Sequence, residues 1–358
     1  MRTPYRVLVV DDSALNRVLL GRLVEGIEGV EVVGYASGGE DGLRKAIDLR
    51  PDLVTLDLEM PGMGGLRMLQ VLMQNRPTAV IVVSSQDSPQ NVLQALDLGA
   101  IDFIAKPCGP MNNRLASIEA ELMEKISALQ QARLHSSEKA EHEVRVAEIR
   151  GLADASARLV AIASSTGGPA ALQTLFSAIR EVPDAAFVVA QHMPPGFTRS
   201  LAARLNDCSP LTIYEAEDGD PVRAGTVLLC PGGKNLLLEQ NGDQIVVRVV
   251  SPPKSQIYTP SADALFASAA ALYGPDLLAV VLTGMGNDGA AGVVQVFASG
   301  GRILCESRQS CVVFGMPKEA IATGHAEAVV PLQQMWGEIE RRCDMRGRKQ
   351  SPPSVPSD

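Results

Sequence analysis

Arg6-Val7-Leu8-Val9-Val10-Asp11-Asp12 is a short apolar run that ends in two adjacent aspartates, and it indicates the type of fold at the start of the chain. Further apolar runs alternate with helical patterns, at residues 30–34, 53–56, 80–83 and 102–105. Strands that alternate with amphipathic helices predict a parallel sheet covered by helices on both faces. We therefore expect an N-terminal α/β domain with a five-stranded parallel sheet.

The composition limits the kinds of protein that this chain can be. Its 358 residues are too many for one average domain and suit two, and 46% hydrophobic residues indicate a globular protein. A net charge of −9 argues against nucleic acid as a partner, because binding to phosphates requires a basic face. The first residues contain no signal-peptide pattern, and no apolar run approaches the roughly 20 residues that span a bilayer. We expect a cytoplasmic protein without direct membrane insertion.

The charge pattern divides the chain into segments. Residues 131–157 are rich in Glu, Lys, Arg and Ala with few large apolar residues, which is typical of a solvated helical linker. The last residues, 346–358, are polar and Pro-rich, so we expect them to be disordered. The prediction is a first domain at 1–130, the linker at 131–157, a second domain at 158–345 and the tail at 346–358. Six scattered cysteines without a Cys-x-x-Cys pair favour reduced, buried thiols.

The second domain repeats the α/β pattern. Apolar runs at residues 159–163, 186–190, 226–230, 277–283 and 302–304 are predicted strands. Residues 236–239 and 244–250 flank Gln240-Asn241-Gly242-Asp243, which is a strong hairpin signal. We expect a doubly wound, mainly parallel sheet with one β-hairpin.

Five polar residues follow strand ends in the first domain. Asp11 and Asp12 follow the first strand, Asp57 follows the third, and Ser84 and Lys106 end the fourth and fifth. The C-terminal ends of parallel strands share one edge, where ligands bind. Three converging carboxylates require a hard cation, and Mg²⁺ fits because it prefers oxygen ligands. A carboxylate there can accept a phosphoryl group, and the Ser84 hydroxyl and Lys106 ammonium could bind the phosphoryl oxygens. Capping of the first helix would explain one aspartate but not the whole set.

This half resembles a response-regulator receiver domain, which has a flavodoxin-like fold. The motifs that carry the resemblance are Val10-Asp11-Asp12-Ser13, Leu56-Asp57-Leu58-Glu59-Met60-Pro61, Val83-Ser84-Ser85 and Ala105-Lys106-Pro107. The resemblance implies Asp57 as phosphoacceptor, Phe103 as the aromatic switch, and a cis bond before Pro107. It also implies metal binding by Asp11, Asp12, Asp57 and the Glu59 backbone. Met63-Gly64-Gly65 departs from the Asp that receivers often have there, which should loosen the adjacent loop.

The second domain contains the residue types of a serine hydrolase. Ser165 lies in Ser164-Ser165-Thr166-Gly167-Gly168-Pro169, where a strand runs into a glycine turn and then a helix. Free N–H groups at a helix N-terminus can stabilise negative charge. His192 follows the next strand, and Asp288 lies in Gly286-Asn287-Asp288-Gly289 after a later one. Nucleophile, base and orienting carboxylate are thus all available at one sheet edge.

Each of these signals alone has an ordinary alternative. Ser-Thr-Gly-Gly can be a phosphate-binding turn, a single histidine is more often structural than catalytic, and Asp288 can cap the helix after it. The chain order Ser, His, Asp also differs from the orders of α/β-hydrolases, chymotrypsin and subtilisin.

The whole pattern resembles the CheB family of chemotaxis response-regulator methylesterases, from about residue 5 to residue 343. Beyond the receiver, the matching motifs are Ser165-Thr166-Gly167-Gly168, Gln191-His192-Met193-Pro194-Pro195-Gly196, Pro231-Gly232-Gly233, Thr259-Pro260-Ser261-Ala262-Asp263, Leu282-Thr283-Gly284-Met285-Gly286-Asn287-Asp288-Gly289 and Val312-Val313-Phe314-Gly315-Met316-Pro317. The resemblance implies a Ser165–His192–Asp288 triad, with Thr166 and the Met285 N–H in the active site. It implies no cofactor for the hydrolase reaction.

The same resemblance implies the reaction and its partners. The substrate is the methyl ester of glutamates on the cytoplasmic helices of chemoreceptors, hydrolysed to glutamate and methanol, and particular receptor glutamines are deamidated. A chemotaxis-type sensor histidine kinase supplies the phosphoryl group, and Mg²⁺ serves phosphorylation of the receiver.

Three departures from the family pattern stand near these motifs. Ala163-Ser164 replaces Gly-Ala before the nucleophile, Thr259 replaces an Arg, and Glu306-Ser307-Arg308 replaces Gln-Asp-Glu. A catalytically idle regulator that acts as a phosphate sink would need only the receiver, whereas the enzyme also needs the triad, and all three triad residues are present. A DNA-binding regulator conflicts with the acidic composition and lacks a basic helix-turn-helix.

Overall fold

The computed structural model of the protein describes residues 4–85, 89–106, 111–136 and 157–343. The N-terminal domain alternates strands and helices from its first residues. Its strands are β1 (Tyr5–Val10), β2 (Val30–Ala36), β3 (Leu53–Leu56), β4 (Ala79–Ser85) and β5 (Asp102–Lys106). Its helices are α1 (Ala14–Glu25), α2 (Gly39–Leu49), α3 (Gly65–Asn75), α4 (Pro89–Asp97) and α5 (Met111–Ser136).

The five strands form one parallel sheet in the order β2-β1-β3-β4-β5, as the sequence predicts. Residues 53–56 of β3 and 80–83 of β4 are all buried, so both faces of these strands are covered, and Thr55 is the one polar residue among them. Helix α1 is capped by Ser13, whose hydroxyl accepts the Asn16 N–H, so neither aspartate before it is the cap.

Helix α5 continues past the predicted linker boundary at residue 131 and ends at Ser136. Most of the predicted linker, and all of the predicted disordered tail, lie outside the described residues, and so does the expected cis bond at Lys106–Pro107.

The C-terminal domain contains the larger sheet. Its strands are β6 (Leu159–Ser164), β7 (Ala186–Gln191), β8 (Thr212–Glu215), β9 (Thr226–Leu229), β10 (Asn235–Asn241), β11 (Gln244–Val250), β12 (Leu277–Val281), β13 (Arg302–Glu306) and β14 (Ala328–Val330). Its helices are α6 (Gly168–Ser177), α7 (Phe197–Asp207), α8 (Ala262–Tyr273), α9 (Ala290–Ala298), α10 (Met316–Ala322) and α11 (Leu332–Cys343).

Seven of these strands form one sheet in the order β14-β13-β12-β6-β7-β9-β8, and every pairing in it is parallel. The hairpin β10–β11 is confirmed, but it forms a separate two-stranded antiparallel sheet instead of extending the main one. Strands β6, β7 and β12 lie at the centre of the large sheet, and the triad candidates follow their C-terminal ends.

The two domains pack against each other through the α4–β5–α5 side of the first and the α6–α7 side of the second. Apolar side chains of both domains belong to a shared core cluster. The ring of Phe103, at β5, lies 4.5 Å from the ring of Phe197 at the start of α7. Asp97 at the end of α4 forms an ion pair with Arg204 of α7. The sheet edge of the second domain is therefore close to the first domain.

The cysteines in the described part are free thiols, as expected. Cys230, Cys305 and Cys343 are buried, while Cys208 and Cys311 are partly exposed. Burial raises the pKa of the Cys305 thiol to about 12, so it stays protonated at neutral pH. None of the helices in the described part has the length and apolar character needed to cross a bilayer.

Candidate functional site

Ser165 lies directly after β6, in the turn that leads into α6. Its backbone N–H donates to the carbonyl of Thr283, which follows the neighbouring strand β12. Gly167 adopts a positive φ of 79°. Pro169 lies in the first turn of α6, where a backbone N–H would be unpaired and where proline has none. This sharp turn places the Ser165 side chain on the wall of a cavity of about 330 Å³ at the sheet edge.

Ser164, the neighbouring hydroxyl, occupies a different environment. It is fully buried, and its hydroxyl donates to the Gln191 side-chain oxygen at 2.6 Å. The Gln191 amide in turn donates to the carbonyls of Ser165 and His192. Ser164 thus fixes the two loops to each other, and its Oγ does not reach the cavity.

His192 and Asp288 are brought together as the sequence predicts. The Nε2 atom of His192 lies 2.8 Å from Oδ2 of Asp288, across 96 residues of chain. Nδ1 is then the ring nitrogen left for a reacting proton. Ser165 and His192 line the same cavity, and no hydrogen bond of the Ser165 hydroxyl is recorded among the described residues.

Asp288 does not cap α9, whose N-cap is Gly289 without a side-chain bond. It instead faces the N-terminus of α8, where its oxygens accept the N–H groups of Ala262 at 2.7 Å and Asp263 at 2.9 Å. Burial opposes ionisation, but the bond with His192 and these N–H groups outweigh it, so the pKa of Asp288 lies below its usual value. A buried, ionised carboxylate therefore stands next to the imidazole.

Met285 and Thr166, which the resemblance assigns to the active site, have different surroundings in the structure. Met285 lines the cavity beside Ser165, and within the described residues its backbone N–H has no hydrogen-bonded acceptor. Thr166 is buried, and its hydroxyl donates to Oδ2 of Asp102 at 2.6 Å. Asp102 belongs to β5, so a residue next to the serine is bonded to the other domain.

The first domain supplies part of the cavity wall. The residues involved are Asp102, Phe103, Glu121, Glu124 and Lys125. Lys125 pairs with Asp102 and Glu121, both at 3.0 Å, and donates to the carbonyl of Phe103. Burial disfavours its charged form, but these carboxylates outweigh it and raise the pKa of Lys125. The β5–α5 surface therefore covers the catalytic candidates.

The predicted acidic pocket is present at the C-terminal edge of the first sheet. Asp11, Asp12 and Asp57 each place a carboxylate oxygen within 4.8 Å of the others. Asp11 and Asp57 are buried, while Asp12 is exposed. Three hard oxygen donors on one edge fit Mg²⁺. The Glu59 N–H donates to Asp57 Oδ1 at 3.1 Å, so this backbone segment also lies at the pocket.

Lys106 and Ser84 are the other two residues that the sequence predicts for this pocket. Lys106 Nζ lies 2.5 Å from Asp57 and 3.0 Å from Asp11, and although burial disfavours its charge, the carboxylates raise its pKa. The Ser84 hydroxyl is buried without a hydrogen-bond partner in the described residues. A buried hydroxyl of this kind needs a hydrogen-bond partner.

Two residues of the site escaped the sequence analysis. Tyr258 stacks on the His192 ring, and Asp102 bonds to Thr166. Tyr258 directly precedes the Thr259-Pro260-Ser261 motif, so its place in the sequence carried a weak signal. Asp102 carried none, because its role depends on how the domains dock.

Comparisons with known proteins agree with this geometry. The CheB methylesterase family model matches residues 160–339, and the response regulator receiver domain model matches residues 7–117. A protein-glutamate methylesterase/protein-glutamine glutaminase of Geobacter sulfurreducens is 45% identical over 95% of this chain and 98% of its own. A relative of the same description from Thermotoga maritima is 40% identical over 91% of this chain and 95% of its own. The crystal structure of the Thermotoga maritima CheB methylesterase catalytic domain, 40% identical, covers 52% of this chain and 98% of its own with a TM-score of 0.50.

Proposed function

This chain belongs to the CheB methylesterase family, and we propose that Ser165 is its nucleophile, His192 its general base and Asp288 the carboxylate that orients the base. Its activity is that of a protein-glutamate methylesterase and protein-glutamine glutaminase, regulated by phosphorylation of the receiver. The observation that best supports the roles is the His192–Asp288 bond, formed across 96 residues on the wall of the cavity that Ser165 lines.

The reaction begins with Ser165 Oγ attacking the ester carbonyl while its proton passes to His192 Nδ1. The oxyanion of the tetrahedral intermediate accepts the Met285 N–H, which needs no reorganisation to meet it. Collapse breaks the bond to the methoxy group, and His192 returns the proton to form methanol. Water then attacks the acyl-enzyme, giving its proton to His192, and the glutamate carboxylate leaves as Ser165 is regenerated.

We assign the substrate as the glutamate methyl ester on the cytoplasmic helices of chemoreceptors. Receptor glutamines react through the same acyl-enzyme, with ammonia in place of methanol as the leaving group. The enzyme acts in adaptation of a chemosensory pathway, and because these receptor helices are cytoplasmic, we place the enzyme in the cytoplasm.

The receiver accepts a phosphoryl group from a histidine kinase with Mg²⁺. We propose Asp57 as the phosphoacceptor and Asp11, Asp12, Asp57 and the Glu59 carbonyl as the metal ligands. When held by these residues, Mg²⁺ would neutralise the carboxylates and offer a coordination position to a phosphoryl oxygen. Ser84 and Lys106 then contact the phosphoryl oxygens. Their movement changes the environment of Phe103, which lies on the same strand as Lys106.

We further propose that the unphosphorylated receiver restricts access of the receptor to Ser165. Asp102 and Phe103 support this, because they bind Thr166 and Phe197 of the other domain. Phosphorylation biases the receiver toward a form that docks less well, by no more than the difference in docking free energy between the two forms. As functional units we propose the receiver at 1–130, the linker at 131–157, the catalytic domain at 158–345 and the tail at 346–358, with helix α5 of the receiver running into the linker segment as far as Ser136.

Methanol release from methylated receptor, measured with and without a small phosphodonor and Mg²⁺, tests this function. The full chain should release methanol slowly alone and faster with the phosphodonor. An idle phosphate sink would consume the phosphodonor and release no methanol under either condition, which would contradict the proposal.

A further inference from the structure

Tyr258 packs flat against the imidazole of His192. The two ring centroids are 5.3 Å apart and the ring planes differ by 6°, which is an offset parallel stack. Tyr258 lies on the segment between β11 and α8 and lines the same cavity as Ser165. One face of the imidazole is therefore covered by an aromatic ring.

The backbone around Tyr258 is held by a partly buried network of side-chain amides. The Gln256 side chain donates to the carbonyl of Tyr258 at 2.6 Å and to the Asn235 side chain at 2.9 Å. The Asn235 side chain accepts the N–H of Ser261 at 2.9 Å, immediately before α8. These bonds tie the Tyr258 segment to β10 and to the start of α8, so the backbone that carries the ring is held close to Asp288.

The phenol end of Tyr258 lies against the loop that carries Asp288. A Cβ added at Gly286 would come within 2.3 Å of the phenol oxygen, and Gly286 has a positive φ of 82°. The glycine therefore leaves the space that the phenol fills. Burial raises the pKa of Tyr258, so the phenol is neutral at physiological pH. Tyr258 thus contacts both the base and the loop of the orienting acid.

We infer that Tyr258 is a positioning residue, whose ring holds the His192 imidazole in line with Asp288 and stabilises the positive charge that the imidazole gains during catalysis. This inference deepens the proposed function and rests on it.

Two physical effects support this role. A single bond to Asp288 leaves His192 free to turn about that bond, and a flat neighbour on one face limits the rotation. The face of an aromatic ring also attracts a cation. His192 is neutral before it takes the Ser165 proton and cationic afterwards, so the attraction is gained only as the reaction proceeds. Such a contact lowers the barrier and raises kcat without strengthening substrate binding.

The test compares variants of the full chain with methylated receptor, phosphodonor and Mg²⁺. Tyr258→Leu removes the aromatic face and keeps apolar bulk, so we expect kcat to fall about 10-fold with KM changed less than about 2-fold. Tyr258→Phe keeps the face and should restore kcat to within about 2-fold of the wild type. Tyr273→Leu, at the far end of α8, makes the same change away from the cavity and should leave kcat unaltered.

The possible outcomes distinguish a failure of this inference from a failure of the proposed function. If the wild type is active and Tyr258→Leu is equally active, the positioning role is wrong and the proposed function stands. The same follows if Tyr258→Phe is as slow as Tyr258→Leu. A rise in KM at constant kcat assigns Tyr258 to substrate binding and overturns it too. If the leucine variant does not fold, Tyr258→Met gives the same comparison. A wild type that releases no methanol removes both proposals.

Discussion

His192 presents its Nε2 atom to Asp288 Oδ2 at 2.8 Å, which is the reverse of the chymotrypsin arrangement, in which Nδ1 faces the aspartate. The ionised Asp288 accepts the Nε2 proton, so the lone pair of neutral His192 is on Nδ1. The bond with His192 and two backbone N–H groups at the start of α8 together keep Asp288 charged, and the segment before α8 carries the tyrosine that covers the imidazole. A single helix start therefore organises both the acid and the base.

Ser165→Ala should lower turnover by several orders of magnitude, because a triad without its nucleophile retains only binding and oxyanion stabilisation. Ser164→Ala is the matched control, since Ser164 is buried and bonded to Gln191. Its loss should cost about 1 kcal/mol of stability and keep most of the activity. Steady-state methanol release and thermal unfolding of both variants check this. If the two activities are reversed, the assignment of the nucleophile is wrong.

Asp288→Asn should lower kcat by about 10⁴-fold while the fold persists, because an amide cannot hold the required tautomer of His192. The carboxamide oxygen can still accept one of the α8 N–H groups, which limits the damage to stability. Asp207→Asn, an exposed residue at the end of α7, serves as the control. Circular dichroism and kcat are measured together, and full activity in Asp288→Asn would remove this carboxylate from the mechanism.

Asp97 and Arg204 connect the domains through an ion pair in which each side chain is about one-third exposed. Arg204→Glu puts two like charges in contact, so we expect the receiver to dock less well and basal esterase activity to rise about 2- to 5-fold without phosphodonor. The Asp97→Arg/Arg204→Glu double variant restores the opposite charges and should return the activity to its basal level. Removal of residues 1–150 sets the upper limit. A catalytic domain no faster than the unphosphorylated full chain would mean that the receiver does not inhibit.

Asp57→Asn should hold the full chain at its basal rate in the presence of phosphodonor and Mg²⁺, because the amide cannot accept the phosphoryl group. Chelation of Mg²⁺ in the wild type should have the same effect on activation and none on basal hydrolysis, since the acidic pocket and the triad lie in different domains. Phosphodonor-dependent methanol release, with and without chelator, measures both. Activation of Asp57→Asn would place the phosphoacceptor elsewhere.

The sequence predicted the sheets better than their edges. The buried strands are continuous apolar runs, whereas β8 (Thr212–Glu215) and β14 (Ala328–Val330) were missed because edge strands are short and partly exposed. The triad candidates were identifiable because each follows a strand: Ser165 and Asp288 lie in glycine-rich turns, and His192 precedes a Met-Pro-Pro-Gly turn. Tyr258 and Asp102 were not, since their roles arise from contacts between distant segments that no local pattern records.

Glu306 is completely buried at the end of β13 and acts on the site indirectly. Its carboxyl accepts the Thr283 N–H at 2.7 Å and the Ser310 hydroxyl at 2.8 Å. The carbonyl of Thr283 accepts the Ser165 N–H, and the hydroxyl of Thr283 donates to the Thr166 carbonyl. Glu306 therefore supports the nucleophile turn through one intermediate residue.

Burial raises the pKa of Glu306 above its usual value, so the folded protein prefers the neutral carboxyl. Below an unfolded-state pKa of about 4.3 the carboxyl is neutral in both states, and its contribution to stability is fully present. That contribution is lost as the pH rises through the folded-state pKa, because the unfolded chain ionises more readily.

Glu306→Gln keeps an acceptor for Thr283 and has no charge to bury. The free energy of unfolding of Glu306→Gln should thus exceed that of the wild type at pH 8, with the excess vanishing near pH 4. Glu306→Ala leaves the Thr283 N–H unpaired and should be about 1–3 kcal/mol less stable than Glu306→Gln at every pH. Urea titrations of the three proteins at both pH values measure these differences, and an excess that is the same at pH 4 and pH 8 would show that the buried carboxyl does not titrate between them.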